Sequence, residues 1–505
     1  MIINPSKKIF EGVIYQYLSS IISAVFNFLI SVYVIKKLSV DEFGIYNFML
    51  SVVLLAQVVT SLGLPQILQR YLPEYREKKI NYFQKRILSI SLLVRFFAGF
   101  IFVSIFLMSN NWVITVFNLP IFARNLIFLL SLIILLNLES QLLGDSALVA
   151  LFENRYWNFS KMTYSGFKFM LFFLFLSMGY GIKGIVLAWL IAEGILFLLF
   201  FVRSYTLIFS LPSEKEEIHA LPVRRFFNFG GVLFLSQVAL FFRDKAADIF
   251  ILSYFLGVYA VGLYSFAYGI PLMLMNFSPG SLLRGVTTPF LVYRYTKSNN
   301  KEELSYFFQL LNKIIFFTMI PIFVILIIFA DKVIMYIFHP DYLKVKGLFM
   351  LSIGFMLVQQ FAYAYIPIIY TLEKTRIILV GSLTAIYNLL MDLILIPSLG
   401  IVGAILATGS AGVLLLIYYS FSFRKKDIVI LSYPWNAFLK SCCNIAITAL
   451  IIFPVKEMIH SSLSLLIVLF IAIFIYLVVS YFNKAFNDND RQIINQASGK
   501  KIWIF

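Results

Sequence analysis

Apolar runs of about 20 residues recur along the whole of this 505-residue chain, and a run of that length is what an α-helix needs to cross a hydrocarbon core of ~30 Å. Fourteen such spans are expected, at roughly 12–35, 43–68, 87–108, 122–144, 160–179, 182–202, 227–250, 258–283, 305–330, 347–371, 376–397, 401–423, 435–455 and 462–482. Two are more polar than the rest: 160–179 contains Lys168, and 227–250 contains four charges. The composition agrees, with 61% hydrophobic and only 13% charged residues, where soluble domains run about 45–50% and about 25%. Cytosolic enzyme, nucleic-acid binder, secreted domain and disordered tail are therefore poor readings. The expected fold class is an all-α polytopic membrane protein.

The net charge of +17 fits basic residues gathered in cytoplasmic loops. With the N-terminus and its Lys7 and Lys8 placed inside, the even-numbered loops and both termini hold most of the lysine and arginine, several-fold more than the opposite loops. An even number of spans returns the C-terminus to the same side. The first span reads as a retained helix, too long for a signal-peptide core and ending in Val34-Ile35-Lys36-Lys37. Cys442 and Cys443 are neighbours inside an apolar run, and His219, His339 and His460 lack partners at metal-ligand spacing. No metal or cofactor is expected. No loop is long enough for a soluble domain.

Two patterns recur at almost one offset. Leu38-Ser39-Val40-Asp41-Glu42-Phe43-Gly44-Ile45-Tyr46-Asn47-Phe48 returns 218 residues later as Leu256-Gly257-Val258-Tyr259-Ala260-Val261-Gly262-Leu263-Tyr264-Ser265-Phe266, with five of eleven positions identical. Gly181-Ile182-Lys183-Gly184 through Ala188 returns 219 residues later as Gly400-Ile401-Val402-Gly403 through Ala407, matching at five of eight. A weaker pair is Glu153 and Glu373. Six spans per repeat make the repeats parallel, an arrangement that suits a transporter with its site between two halves. The organisation expected is residues 1–202 as a first six-helix lobe, 203–226 as a cytoplasmic linker, 227–423 as a second lobe, and 424–505 as helices 13 and 14 with a tail.

At these residues the sequence resembles the MOP exporter superfamily, and within it the O-antigen-type flippases of lipid-linked oligosaccharides in polysaccharide biosynthesis. The resemblance runs from about residue 10 to 480 and is most specific at Leu38 to Phe48, Asp248 to Tyr268 and Glu373 to Ala407. It implies fourteen helices in two six-helix, MATE-like lobes facing a central cavity. It also implies transfer of an undecaprenyl-diphosphate-linked glycan between leaflets, and partners in membrane lipids and the polysaccharide polymerase or export machinery of lipopolysaccharide-type assembly. One departure is Ile249, where the family often has Arg after the Asp of span 7; Arg243 and Lys245 lie one turn earlier.

Ionisable side chains inside spans are costly and mark sites by default. Span 7 is richest, with Arg243-Asp244-Lys245-Ala246-Ala247-Asp248. Helical spacing puts Asp244, Lys245 and Asp248 on one face, which Gln237 extends. That face reads either as a polar wall whose cations contact a diphosphate, or as a self-neutralising patch within the bundle. Span 1 carries Gln16, Ser20, Ser23, Asn27 and Ser31 at spacings that keep one face polar. Such a stripe suits sugar hydroxyls and equally suits helix–helix contact. Arg95 and Lys168 are the deepest other cations, and Asp248, Glu139 and Glu193 are candidates for proton or sodium coupling.

The chain lacks the Gly-x-x-x-x-Gly-Lys-Ser/Thr motif of a P-loop. The function expected is alternating-access flipping of a polyprenyl-diphosphate-linked oligosaccharide across the cytoplasmic membrane, without enzymatic chemistry. The alternatives are a cation-coupled multidrug exporter of the same superfamily and a membrane glycan polymerase or ligase.

Overall fold

The structure is a computed structural model that describes residues 5–210, 223–282, 284–424, 431–498 and 503–505. Every regular element among the described residues is helical. Twelve of these stretches are long and apolar enough to cross a membrane, so the chain is a multi-pass membrane protein. Asn154–Ser177 and Val223–Phe241 are helices of comparable length that are less apolar, and with them the count reaches fourteen. These correspond to the two spans that the sequence marks as most polar.

The chain folds as two compact units, Met1–Gly262 and Leu263–Phe505. The sequence places a linker at 203–226, of which 211–222 lie outside the described residues; the division between the compact units falls further on. The helix after that segment packs on the second and third helices of the first unit, which binds it there.

The first unit contains α1 (Pro5–Lys37), α2 (Val40–Val59), α3 (Leu64–Glu77), α4 (Asn81–Met108), α5 (Asn110–Val116), α6 (Ala123–Ser140), α7 (Asn154–Ser177), α8 (Gly181–Ser204), α9 (Val223–Phe241) and most of α10 (Lys245–Ala267). The local causes are legible. Ser39 and Glu42 form a reciprocal capping box at the start of α2, with Glu42 N–H donating to Ser39 Oγ at 3.2 Å and Ser39 N–H to Glu42 Oε2 at 3.1 Å. Between α2 and α3 the chain turns through Gly63 at φ +74°, a backbone state that glycine adopts without strain. After α6 the helix continues as a π-helical segment, Gln141–Leu148, a form frequent at functional sites. Gly257, at φ +77°, divides α10 into two arms.

The second unit follows with α11 (Gly269–Met275), α12 (Pro279–Leu282), α13 (Arg284–Ser298), α14 (Lys301–Ile328), α15 (Ala330–Ile337), α16 (Lys346–Tyr363), α17 (Tyr365–Thr371), α18 (Thr375–Gly381), α19 (Thr384–Leu399), α20 (Ile401–Ser422), α21 (Trp435–Ile452), α22 (Ser462–Phe482) and α23 (Asp488–Ser498). Gly400 joins α19 to α20 at the second copy of the Gly-Ile-x-Gly pattern. The last helix is tied back to α14, where Lys313 Nζ meets the fully buried Asp490 carboxylate at 2.5 Å and Tyr306 donates to it at 2.8 Å. Lys313 is thus a structural cation.

Candidate functional site

The charged segment of span 7 breaks the helix rather than riding along it. α9 ends at Phe241, Phe242 to Asp244 form a turn, and α10 starts at Lys245. Asp244 caps the new helix, its Oδ1 accepting from Ala246 N–H at 3.0 Å. The expected continuous helical face of Asp244, Lys245 and Asp248 is therefore interrupted at its first member. A capping carboxylate satisfies the free N–H groups of a helix start, and such irregular backbone inside a membrane protein belongs where protein or a polar cavity surrounds it. Arg243 is exposed at the turn, and Asp248 is fully buried on α10. Lys245 Nζ donates to Asn47 Oδ1 of α2 at 3.0 Å.

Beside this break lies a chamber of about 350 Å³ within the first unit, lined by polar side chains together with Leu54, Val58, Pro65, Leu240 and Phe241. The polar members of its wall are Gln57 and Ser61 at the end of α2, Gln66 and Gln69 of α3, Gln141, Asp145 and Ser146 of the π-helical segment, and Gln237 and Asp244 at the break. Five glutamines thus point into one space, offering amide donors and acceptors with no net charge. Asp145 is held by Trp157, whose Nε1–H donates to Oδ1 at 2.7 Å, and by Lys161 at 3.0 Å. Gln69 donates to the Asp145 carbonyl at 3.1 Å, which joins α3 to the π-helical segment.

Arg95 of α4 stands behind that wall, fully buried, and donates to Gln141 Oε1. Its Nε and Nη1, and the nearby Glu139 Oε1, are buried without a hydrogen-bond partner. Arg95 also feels the fields of Glu139 and Asp145. A second chain of contacts leaves the chamber through Gln57, which donates to Asn137 Oδ1 at 2.6 Å. Asn137 donates to Glu193 Oε1 at 3.0 Å, and Tyr164 donates to Glu193 Oε2 at 3.0 Å. Lys168 donates to the Tyr164 hydroxyl at 3.4 Å and sits 4.9 Å from the centre of the Trp189 ring. Glu193 and Lys168, both buried, are therefore linked through a tyrosine rather than in direct contact.

The structure brings Gln237 and Asp244 to the chamber and sets Arg95, Lys168, Glu139 and Glu193 behind it. The stripe of span 1 is elsewhere. Ser20 and Asn27 are exposed, Ser23 is half-buried, and none borders the chamber. The side chain of Gln16 lies outside the described residues. α1 instead packs on α7 through Ser19, which donates to the Asn158 carbonyl at 2.9 Å, and through the pairs Phe26–Phe169 and Tyr33–Phe173. Gln57, Gln66, Gln69, Gln141 and Asn137 escaped the sequence reading, which followed charge. Their signal is an uncharged amide within or beside an apolar run.

Residues 9–292 match the family described as polysaccharide biosynthesis protein. An uncharacterized membrane protein of Methanocaldococcus jannaschii is 22% identical over 437 residues, covering 80% of this chain and 81% of that protein. Among solved structures, the lipid II flippase MurJ in an inward closed conformation has a TM-score of 0.69 at 17% identity, over 97% of this chain and 100% of that one. An inward-facing multidrug resistance MATE family transporter of the MOP superfamily has a TM-score of 0.64 at 13% identity, over 86% of this chain and 98% of that one. The chain belongs to the polysaccharide biosynthesis protein family and has the fold of the MOP superfamily.

Proposed function

We propose that this protein is a flippase that moves a polyprenyl-diphosphate-linked oligosaccharide across the cytoplasmic membrane for surface polysaccharide assembly. The observation that carries the reading is the chamber walled by Gln57, Gln66, Gln69, Gln141 and Gln237 in a membrane-spanning unit. Glycan hydroxyls are paired donors and acceptors, and uncharged amides satisfy both without the desolvation cost of fixed charges. At about 350 Å³ the chamber is of the size of small-molecule sites. Arg243, exposed at the helix break, is in this reading the contact for a diphosphate arriving with the glycan. Membership of the polysaccharide biosynthesis family and the flippase fold of a solved neighbour support the same reading.

Alternating access of two six-helix repeats, 1–202 and 227–423, moves the cargo with no covalent step. Both termini are cytoplasmic in this reading, and the polysaccharide polymerase and export machinery receive the product. The work of reorientation comes from coupling to protons or sodium through Glu193, Glu139 or Asp248, or from the flux of substrate itself. Whether the glycan is an O-antigen unit is a finer assignment within the same proposal.

One feature favours a second cargo: Asp145 and Asp244 border the chamber and suit a cationic drug. The test is the sidedness of lipid-linked oligosaccharide in a deletion strain, read with an externally added glycan-modifying enzyme. Protected, inward-facing lipid that becomes accessible on re-expression is the expected result. Unchanged sidedness with altered drug tolerance overturns it in favour of the multidrug exporter. Accumulated outward-facing precursor overturns it in favour of a later enzymatic step.

A further inference from the structure

Two of the helices that wall the chamber have a second, opposite lining. α3 turns Gln66 and Gln69 to the chamber and Leu64 and Ile67 away from it. α9 turns Gln237 and Phe241 to the chamber and Gly231 and Leu235 away from it. On that far side α3, α4 and α9 enclose an apolar groove of about 910 Å³. It runs along α9 from Val223 to Leu235, about 18 Å at the helical rise of 1.5 Å per residue, more than half of a hydrocarbon core. α3 and α9 form the partition between the two spaces. They touch backbone to backbone, since a side chain on Gly63 would run into the Gly230 carbonyl.

Charge is confined to one end of the groove. Arg224, exposed, and Arg225 flank Val223, Phe226 and Phe227 there. Arg225 lies over the Tyr71 ring at 4.8 Å and reaches Glu74 of α3 at 3.4 Å. Across the groove, Arg86 precedes Ile87 and Ile90 on α4 and holds the Tyr82 hydroxyl at 2.7 Å. An apolar trough about 18 Å long with arginines at a single mouth is complementary to an amphiphile with a long hydrocarbon tail and an anionic head.

We infer that the α3–α4–α9 groove is the site at which the polyprenyl tail of the carrier lipid lies on entry, while its diphosphate rests among the arginines of the mouth before it passes to Arg243 beyond the other end of α9. This inference rests on the proposed flippase reading and adds to it a place for the long hydrocarbon part of the substrate. The tail remains against the bilayer, and the polar and apolar parts of one amphiphile are served by opposite faces of the same two helices. The Glu74–Arg225 contact then fastens the partition at its charged end.

Gly231 provides the test, because a side chain built there meets nothing within 4 Å and projects into a groove that Gly231 lines. The full-length protein in nanodiscs of phosphatidylcholine and phosphatidylglycerol is photolabelled with a diazirine-bearing undecaprenyl diphosphate. Label is expected in peptides of α4 and α9, displaced by unlabelled undecaprenyl diphosphate at a concentration at which phosphatidylglycerol leaves it in place. Gly231→Trp is expected to lower labelling at least tenfold, with Gly231→Ala unchanged. Equal displacement by phosphatidylglycerol overturns the assignment, because the groove is then a general lipid contact. Label confined to other helices overturns it as well, and both of these readings need only the unaltered protein. Flipping in proteoliposomes separates the two levels. Flipping without groove labelling removes the tail site and leaves the flippase, whereas groove labelling without flipping supports the tail site and removes the flippase.

Discussion

Gly44 and Gly262 pack against each other's helices in a reciprocal contact. A side chain on Gly44 would run into the carbonyl of Val258, and one on Gly262 into the carbonyl of Val40. Both pairs, 44 with 262 and 40 with 258, are separated by the 218 residues of the sequence repeat, so the contact relates equivalent positions of the two copies. Small residues at such a crossing let helix backbones approach in a membrane, where close packing replaces the hydrophobic effect as the cohesive force. Gly44→Val and Gly262→Val are each expected to destabilise by about 1–3 kcal/mol, through forced separation of α2 and α10. The double variant should lose less than the sum, because both side chains open one gap. Thermal unfolding of the three variants in detergent checks this, and strict additivity would contradict it.

Arg243 and Lys245 are neighbours with different duties. Lys245 is bonded to Asn47, so Lys245→Ala and Asn47→Ala should be coupled in a double-variant stability cycle by about 1 kcal/mol. Arg243 is exposed at the turn, and Arg243→Ala should leave the melting temperature unchanged while translocation falls. Normal flux in an Arg243→Ala protein would remove the proposed diphosphate contact.

Glu193 and Lys168 share a buried tyrosine bridge. Glu193→Gln retains an acceptor for Asn137 but leaves the lysine without its balancing charge, at a cost of about 3–5 kcal/mol. Adding Lys168→Met should restore most of that stability. If Glu193 also serves ion coupling, the doubly substituted protein folds yet its transport no longer responds to an imposed ion gradient. Gradient-driven transport at the unaltered level would exclude Glu193 from coupling.

Glu74, on α3 outside the membrane spans, has its carboxyl pKa lowered chiefly by the hydrogen bond from Lys78 at 2.9 Å. Partial desolvation opposes the shift, and the charge of Arg225 reinforces it. A lowered folded-state value means that the stabilisation is complete above the ordinary carboxylate range and disappears as the pH falls through the depressed value. For so accessible a cluster the contribution is at most about 1 kcal/mol. Hydrogen exchange in residues 64–77 should therefore be constant near neutral pH and rise under acid, and Glu74→Gln should show the raised exchange at all pH values.

The polar spans show why some of this was readable in advance. Lys168, Glu193, Arg95 and Asp244 stand out because an ionised group in an apolar run is expensive wherever its helix packs. The glutamines did not stand out, because one amide costs little and gains meaning only in company. Spacing also misled at one place. Asp244 and Asp248 are four apart, as two residues on one helical face would be, but Asp244 serves as a cap because its carboxylate meets the N–H of Ala246.

Length and hydropathy alone determined that this chain crosses a membrane many times as helices, and the repeated pattern was visible because five of its eleven positions, Gly44 and Gly262 among them, are identical. Hydrogen bonds within an α-helix close over four residues, so local sequence suffices to specify where helices run. Only the tertiary structure decided which faces meet. Gln57, Gln66, Gln141 and Gln237 come from four separate segments, and a 3.6-residue period orients each side chain about its own axis without saying which neighbour lies opposite. That choice depends on packing between helices distant in sequence, and it placed the chamber on one side of α3 and α9 and the apolar groove on the other.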